Sequence, residues 1–429
     1  MIKLGNRIVK VILIVLILLS LFLSWKIWTK PANRGFQDRS NKVSEVVQKK
    51  PMTDVFVPTK LFYHENKGED FFYTNKESVI SSLQERVVNF EFGDIKELTR
   101  TEAAALLEKE QIFSLVFPSE IPVALFTELH HLDLELPEEH KNMVFSRVTV
   151  SLLDETLYFV NHAKTEAIEV PVKGDFKSLE RLLQSKKNGY FKVNIPEDSL
   201  INIYYFTEEV ELKIYSYIVA TQSFTTFSKG FFNQSSDLYS NEGENLNLSN
   251  GEGESLTIEN KTGEVTYFGK LQENHDYARN KLYFDTFQYV EDMGTALGNM
   301  RYFSSKETEV TYRNYIEGFP VFGENMQGSL EATVQNKNIY VRANQETLQI
   351  PIPSEENVTL IPTAKLVEQL RDQGVDLDSI QDIQIGYKWQ TNKETKQAVD
   401  LVPAWYIEYN NEWYTQPEVV EVATKGGGQ

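Results

Sequence analysis

A chain of 429 residues is longer than one ordinary domain and, at roughly 150 residues per domain, points to two or three. With 41% apolar and 24% charged residues it can bury real cores, and 26 Phe and 21 Tyr favour β-rich structure over helical bundles. A formal net charge of −19 without a basic stripe excludes a general nucleic-acid binder, and the lack of cysteine excludes disulfides, a thiol nucleophile and thiolate metal sites.

The first element in chain order is an apolar run from Val11 to Trp28, long enough at about 1.5 Å per residue to cross most of a hydrocarbon core. Trp25 and Trp28 stand where an interfacial aromatic belt belongs. A cleaved leader is the rival reading, but bulky Phe22, Trp25, Ile27 and Trp28 occupy the place of a small-residue cleavage site. The run therefore reads as an uncleaved transmembrane helix, 11–28. Lys3, Arg7 and Lys10 precede it without an acidic residue, placing 1–10 in the cytoplasm and the bulk of the chain outside. Lys26, Lys30 and Arg34 follow the helix and weaken that asymmetry. Within the helix Ser20 and Ser24 share one face with Leu16 and Ile27. Small residues at this spacing admit a partner helix, and they also occur in unpartnered spans.

Residues 29–54 are polar and lysine-rich and read as a juxtamembrane linker, with folded sequence from Val55. Helices are predicted at Glu77–Asn89, after Thr74 and Asn75 as caps, and at Glu102–Lys109 after Thr101. Strands follow at Met143–Leu152, Thr156–His162 and Glu166–Val172. Asp175 caps a predicted helix through Lys186 whose Phe176, Leu179, Leu182 and Leu183 line one face. Leu200–Phe232 is extended in character, and a polar, Gly- and Asn-rich stretch from Asn233 to Glu254 marks a boundary. Beyond it the pattern gives a hairpin at Ser255–Glu259 and Glu264–Phe268, a helix at Lys281–Leu297 and a strand at Glu309–Ile316. The order then recurs. Leu330, Ala332 and Val334 alternate, Asn336 to Asn338 turn, and Ile339, Val341 and Ala343 alternate back. A helix at Thr363–Gln373, strands at Ile380–Trp389 and Leu401–Tyr409 and a turn at Asn410-Asn411 complete it. The recurrence reads equally as a diverged duplication or as chance in an α+β chain. The expected organisation is an N-terminal extracytoplasmic domain 55–232, a central domain 233–317, a C-terminal domain 318–417 and a flexible tail 418–429.

Chemistry is sparse. No Gly-x-Ser-x-Gly, Ser-x-x-Lys or His-Glu-x-x-His motif occurs, and Lys261-Thr-Gly263 sits where a turn wants those residues. His130, His131, Asp133, Glu135 and His140 could supply metal ligands, but their spacing is no tight ligand pattern and a polar loop explains them. No catalytic residue, metal or cofactor is expected. An extracytoplasmic wall enzyme and a free-standing ligand-sensing or adhesion module remain the alternatives to a regulator acting through its anchor.

The chain resembles the YycH family of membrane-anchored regulators of the WalK–WalR (YycG–YycF) two-component system in Gram-positive bacteria. The likeness lies in the anchor ending Leu19-Ser-Leu-Phe-Leu-Ser-Trp-Lys-Ile-Trp28, in Tyr283-Phe-Asp-Thr-Phe-Gln-Tyr-Val-Glu291 and in Gly318-Phe-Pro-Val-Phe-Gly323. It is clearest in Ile385-Gly386-Tyr387 and Leu401-Val-Pro403-Ala404-Trp405-Tyr-Ile407. The shorter related YycI leaves no room for Val55 to Phe232, which favours YycH. The resemblance implies a single-pass cell-membrane protein with a three-domain, β-rich α+β extracytoplasmic part, its last two domains similar to each other and to YycI. It further implies a complex with YycI and the sensor histidine kinase WalK, in which the anchor helix contacts the kinase and genes of cell-wall homeostasis respond.

Overall fold

The structure is a computed structural model and describes residues 49–66, 71–106, 109–195, 203–232, 238–271, 280–393, 395 and 397–426. Lys60–His64 and Ile112–Pro122 are near-continuous apolar runs, the pattern of strands covered on both faces rather than one. They lie adjacent in an antiparallel ten-stranded sheet, with Phe71–Thr74 and Phe191–Asn194 on one side and Val144–Ser151, Thr156–Val160 and Ala167–Lys173 on the other. Because side chains alternate along a strand, Leu61 and Tyr63 enter one core while Phe62 enters another. Phe113, Leu115 and Phe117 divide from Val116 in the same way.

The first core takes in Ile80 and Leu83 of the Glu77–Val88 helix and Leu179 and Leu183 of the Phe176–Leu183 helix. Asp175 caps the latter, its carboxylate accepting from the Ser178 N–H at 3.0 Å. Thr74 and Asn75 do not cap the former: Lys76 is the N-cap, while Thr74 Oγ1 donates to Asn188 O and Asn75 Nδ2 to Glu317 O. The next helix is Arg100–Ala105, two residues earlier than Thr101 suggests, because Thr99 and Glu102 form a reciprocal capping box.

A fourteen-stranded sheet carries most of the rest of the described chain, and Val210–Lys213 with Asn357–Leu360 forms a separate antiparallel pair. Ser255–Ile258, Glu264–Lys270, Asn338–Asn344 and Ser329–Gln335 are successive antiparallel neighbours, so both predicted hairpins share this one sheet. Phe319–Phe322 then runs parallel to Ile380–Thr391, which pairs along its length with Ala398–Tyr409. Tyr215–Thr221, upstream of the 232/233 boundary, pairs with Glu346–Ile352 and Ala398–Tyr409 downstream of it. With two large sheets, one two-stranded sheet and helices packed against them, this is a β-rich α+β fold.

Two stretches differ from their sequence pattern. Phe224–Phe231, inside the run read as extended, is a helix with Phe227 and Phe231 buried at helical spacing. Residues 418–426, part of the stretch 418–429 expected as a tail, supply most of a Gln416–Gly426 helix, held by fully buried Val419 and a Lys388–Glu418 ion pair at 2.7 Å.

Gly318 ties the two sheets together. Its φ is +81°, and a Cβ there would stand 2.0 Å from the backbone oxygen of Asn75, whose side chain bonds the adjacent Glu317. Gly318→Ala is expected to lower unfolding stability by about 2–3 kcal/mol, read by urea denaturation; an unchanged midpoint contradicts this junction.

Candidate functional site

The predicted partner face, Leu16, Ser20, Ser24 and Ile27, and the anchors Trp25 and Trp28 lie outside the described residues. Among the described residues no helix is long and apolar enough to cross a membrane. At Lys49 the chain is already fastened to the body rather than running as a linker to residue 54. Met52–Asp54 form a 3-10 turn with Met52 buried, because Met52, Val55 and Phe56 are the apolar residues that reach the first core.

This seat has polar and aromatic parts. Lys49 Nζ lies 3.2 Å from Glu291 and 3.0 Å from Asp292, and the hydrogen bond it donates to Asp292 is the main cause raising its pKa. Lys50 Nζ donates to Met300 O at 2.6 Å and Asn299 Oδ1 at 3.0 Å; burial, with Arg301's charge added, pushes its pKa down to about 8. Phe56 stacks on Tyr302 at 4.9 Å and meets Tyr283 and Tyr312 edge-on, while Tyr302 N–H donates to Val55 O. Nothing in the Lys-rich composition before Val55 signals this; Met52 just past Pro51 is the one clue.

A cavity of about 710 Å³ opens beside the seat between the Phe224–Phe231 and Lys281–Met293 helices. Gly230 allows their approach, since a Cβ would meet Met293 Sδ at 2.6 Å. Phe231, Phe284, Phe287 and Tyr289 give it aromatic walls, and Lys49, Asp285, Glu291 and Asp292 bring charge. No serine, threonine, cysteine or histidine is among its lining residues.

The histidine cluster disperses. Gln84 Nε2 donates to His130 Nε2 at 3.2 Å, and the His130 ring packs on Phe126. His140 is buried beside Glu139 at 3.8 Å. Among the described residues no group of three or more potential ligands, His131, Asp133 and Glu135 included, converges on a metal position. Lys261-Thr-Gly263 is a turn, with Thr262 Oγ1 bonded to Glu259 and Gly263 at φ +72°.

The motif residues near the C-terminus have structural roles. Gly386 stands opposite Ala404 and Tyr387 opposite Pro403 in the long strand pair. A Cβ on Gly386 would strike the Phe322 ring at 2.6 Å, and that ring stacks on Tyr406 at 3.8 Å. Trp405 Nε1 donates to Ile361 O at 3.0 Å, and the Tyr387 hydroxyl to Lys213 O at 3.2 Å. Pro403 falls between the end of pairing with Tyr215–Thr221 at Leu401 and its resumption with Glu412–Thr415 at Tyr406, where a missing N–H loses no ladder bond on that side.

Comparison with known families decides what this arrangement belongs to. The model described as "YycH protein, N-terminal domain" matches residues 6–189, and "YycH protein, C-terminal domain" matches 201–419. The chain belongs to the YycH family. Family membership carries a regulatory role in the WalK system and a general association with membranes. The crystal structure of YycH from Bacillus subtilis shares the fold at TM-score 0.69 and 14% identity, covering 86% of this chain and 97% of that one. An uncharacterized protein from Eubacterium rectale aligns at TM-score 0.31 and 11% identity over 56% of this chain and 90% of that one, too distant to bear on the fold. No curated protein matches the chain.

Burial, with His131's charge added, lowers the His130 pKa to about 4. The unfolded chain, with an ordinary value near 6.5, takes up that proton first, so stability falls as pH drops from about 6.5 to about 4. Replacing His130→Gln is expected to remove on the order of 1–2 kcal/mol of that loss, measured as the difference in urea unfolding between pH 7 and pH 4.5. Equal pH slopes in the two proteins contradict a buried neutral imidazole.

Proposed function

We propose that this YycH-family chain is a non-enzymatic, single-pass cell-membrane protein that adjusts the sensor kinase WalK together with YycI. Its N-terminus lies in the cytoplasm, and its helix 11–28 and its extracytoplasmic body both make the contacts. The observation that carries this reading is the family match running through both parts of the chain, 6–189 and 201–419. The composition of 11–28, apolar but for Ser20, Ser24 and Lys26, supports the anchor. The three extracytoplasmic domains, 55–232, 233–317 and 318–417, belong to the same proposal.

The mechanism is differential packing. An added helix that fits one kinase conformation better than another shifts their ratio by that difference, and about 1–2 kcal/mol changes it five- to thirtyfold. The seat at Lys49 to Phe56 supports a mechanical link, since a displacement of the body at the Lys281–Met293 helix bears directly on residue 49.

Ser20→Leu with Ser24→Leu is expected to cut co-purification of the kinase severalfold and to move its reporter output, at normal expression. Wild-type levels of both would remove Leu16, Ser20, Ser24 and Ile27 as the contact face.

A further inference from the structure

From Tyr239–Glu242 to Ser329–Gln335 the fourteen-stranded sheet lays six strands side by side, each antiparallel to the next. Leu248, Leu256, Tyr267, Val341 and Ala332, directly opposite one another, belong to the first core. Alternation along each strand sends the residues between them to the other face. There the register aligns Tyr239, Ser249, Ser255, Phe268, Tyr340 and Thr333 in one row across the strands. Two residues along, Asn241, Asn247, Thr257, Thr266, Arg342 and Glu331 form a second row that is wholly polar.

This face is open. Tyr239 is 67% exposed and Tyr340 40%, and half-buried Phe268 stands beside Tyr340 with ring centroids 4.9 Å apart and planes tilted by 51°. Ser249 and Ser255 are too short to rise between Phe268 and Tyr239, which are three strand spacings, about 14 Å, apart. In the polar row Thr257 Oγ1 donates to Asn247 Oδ1 at 2.8 Å. Its one cation, Arg342, lies 2.9 Å from Glu264 and 3.7 Å from its row neighbour Glu331.

Those pairings and the net charge of −19 disfavour a polyanion on this face. Width disfavours a protein partner. A stable protein interface buries about 800 Å² per partner around a contiguous apolar core, whereas this aromatic row is one side chain wide and broken by serines. A glycan chain has the matching anatomy. Its sugar rings carry C–H groups on their flat faces, which pack on aromatic rings, and hydroxyls at their rims, which need hydroxyl and amide partners. Each β-linked unit also advances such a chain by close to one strand spacing, so a short oligosaccharide spans the row.

We propose that this sheet face binds an uncharged, β-linked glycan, with sugar rings on Tyr239, Phe268 and Tyr340 and rim hydroxyls on the row of Asn247 and Thr266. The inference stands on the sheet face alone and is independent of the anchor and of the kinase.

The test is calorimetric titration of the full-length protein, in a detergent without sugar headgroups, with the hexamer of β-linked N-acetylglucosamine and separately with that of β-linked glucose. Saturable binding of at least one hexamer is expected, with the matching monosaccharide severalfold weaker because it covers a single ring. Preference for the N-acetylated hexamer assigns contacts to the acetamido group, equal binding assigns the ring faces, and both support the site. Tyr239→Ala and Tyr340→Ala are each expected to weaken binding about three- to tenfold, while Tyr239→Phe and Tyr340→Phe keep most of it. An unchanged urea midpoint checks that the variants fold. No saturable binding of either hexamer, affinities unmoved in both alanine variants, or self-association lost in those variants in place of sugar binding overturns the assignment.

Discussion

A sheet buried on both faces is the constraint from which the described body follows. Strands Lys60–His64 and Ile112–Pro122 send alternate side chains into two different cores, so neither core closes without them. Shifting either strand by one residue would exchange Leu61 and Tyr63 with Phe62 and ruin both sides together. The register is thus fixed twice over, and the flanking helices and the Ile380–Thr391 strand pair are held in place by the same few residues. Gly318 and Asn75 add a backbone-close contact at the edge of this arrangement, where no side chain fits between the chains.

Tyrosine does much of the filling. Tyr63, Tyr267, Tyr289, Tyr302, Tyr312 and Tyr387 are almost wholly buried, and burial raises the pKa of each, so they remain neutral hydroxyl donors or acceptors. Tyr302 shows what this achieves: its ring stacks on Phe56 while its hydroxyl donates to Glu120 O at 2.7 Å. One residue therefore joins the seat to the Ile112–Pro122 strand. The acidic excess stays largely outside this framework and keeps a large surface solvated.

Legibility followed periodicity. The Phe176–Leu183 helix with its Asp175 cap, the Asn338–Asn344 hairpin partner and the left-handed Asn410-Asn411 turn all carry local signals, and the structure has them. Lys60–His64 was not legible, because a strand covered on both faces loses its alternation. The Phe224–Phe231 helix hides among residues that favour strands, and Gln416–Gly426 presents too little apolar surface to announce itself. Pairing of Tyr215–Thr221 with strands more than 120 residues away is not a local property at all. At the candidate site the family-like residues are visible in the sequence but their roles are not: Gly386 is small for the sake of Phe322, some sixty residues earlier. Lys49 and Lys50 look like any solvated linker lysines until Glu291, Asp292 and Met300 are placed beside them.

The seat and the second core lie close along the chain, and that closeness has a mechanical meaning. Phe56 belongs to the first core and Phe62 to the second, with five residues between them and the Lys60–His64 strand carrying both cores on its two faces. Packed side chains resist continuous deformation, so a change at one face is passed on as a small rigid shift of the strand or not at all. Whatever alters the packing around Phe62 and Arg147 therefore bears on the same strand that Phe56 and Lys50 secure from the other end. A fold with a slack tether at residue 49 would dissipate such a shift in backbone rotations. The ion pairs of Lys49 and the bonds of Lys50 reduce that slack at the point where the chain joins the body.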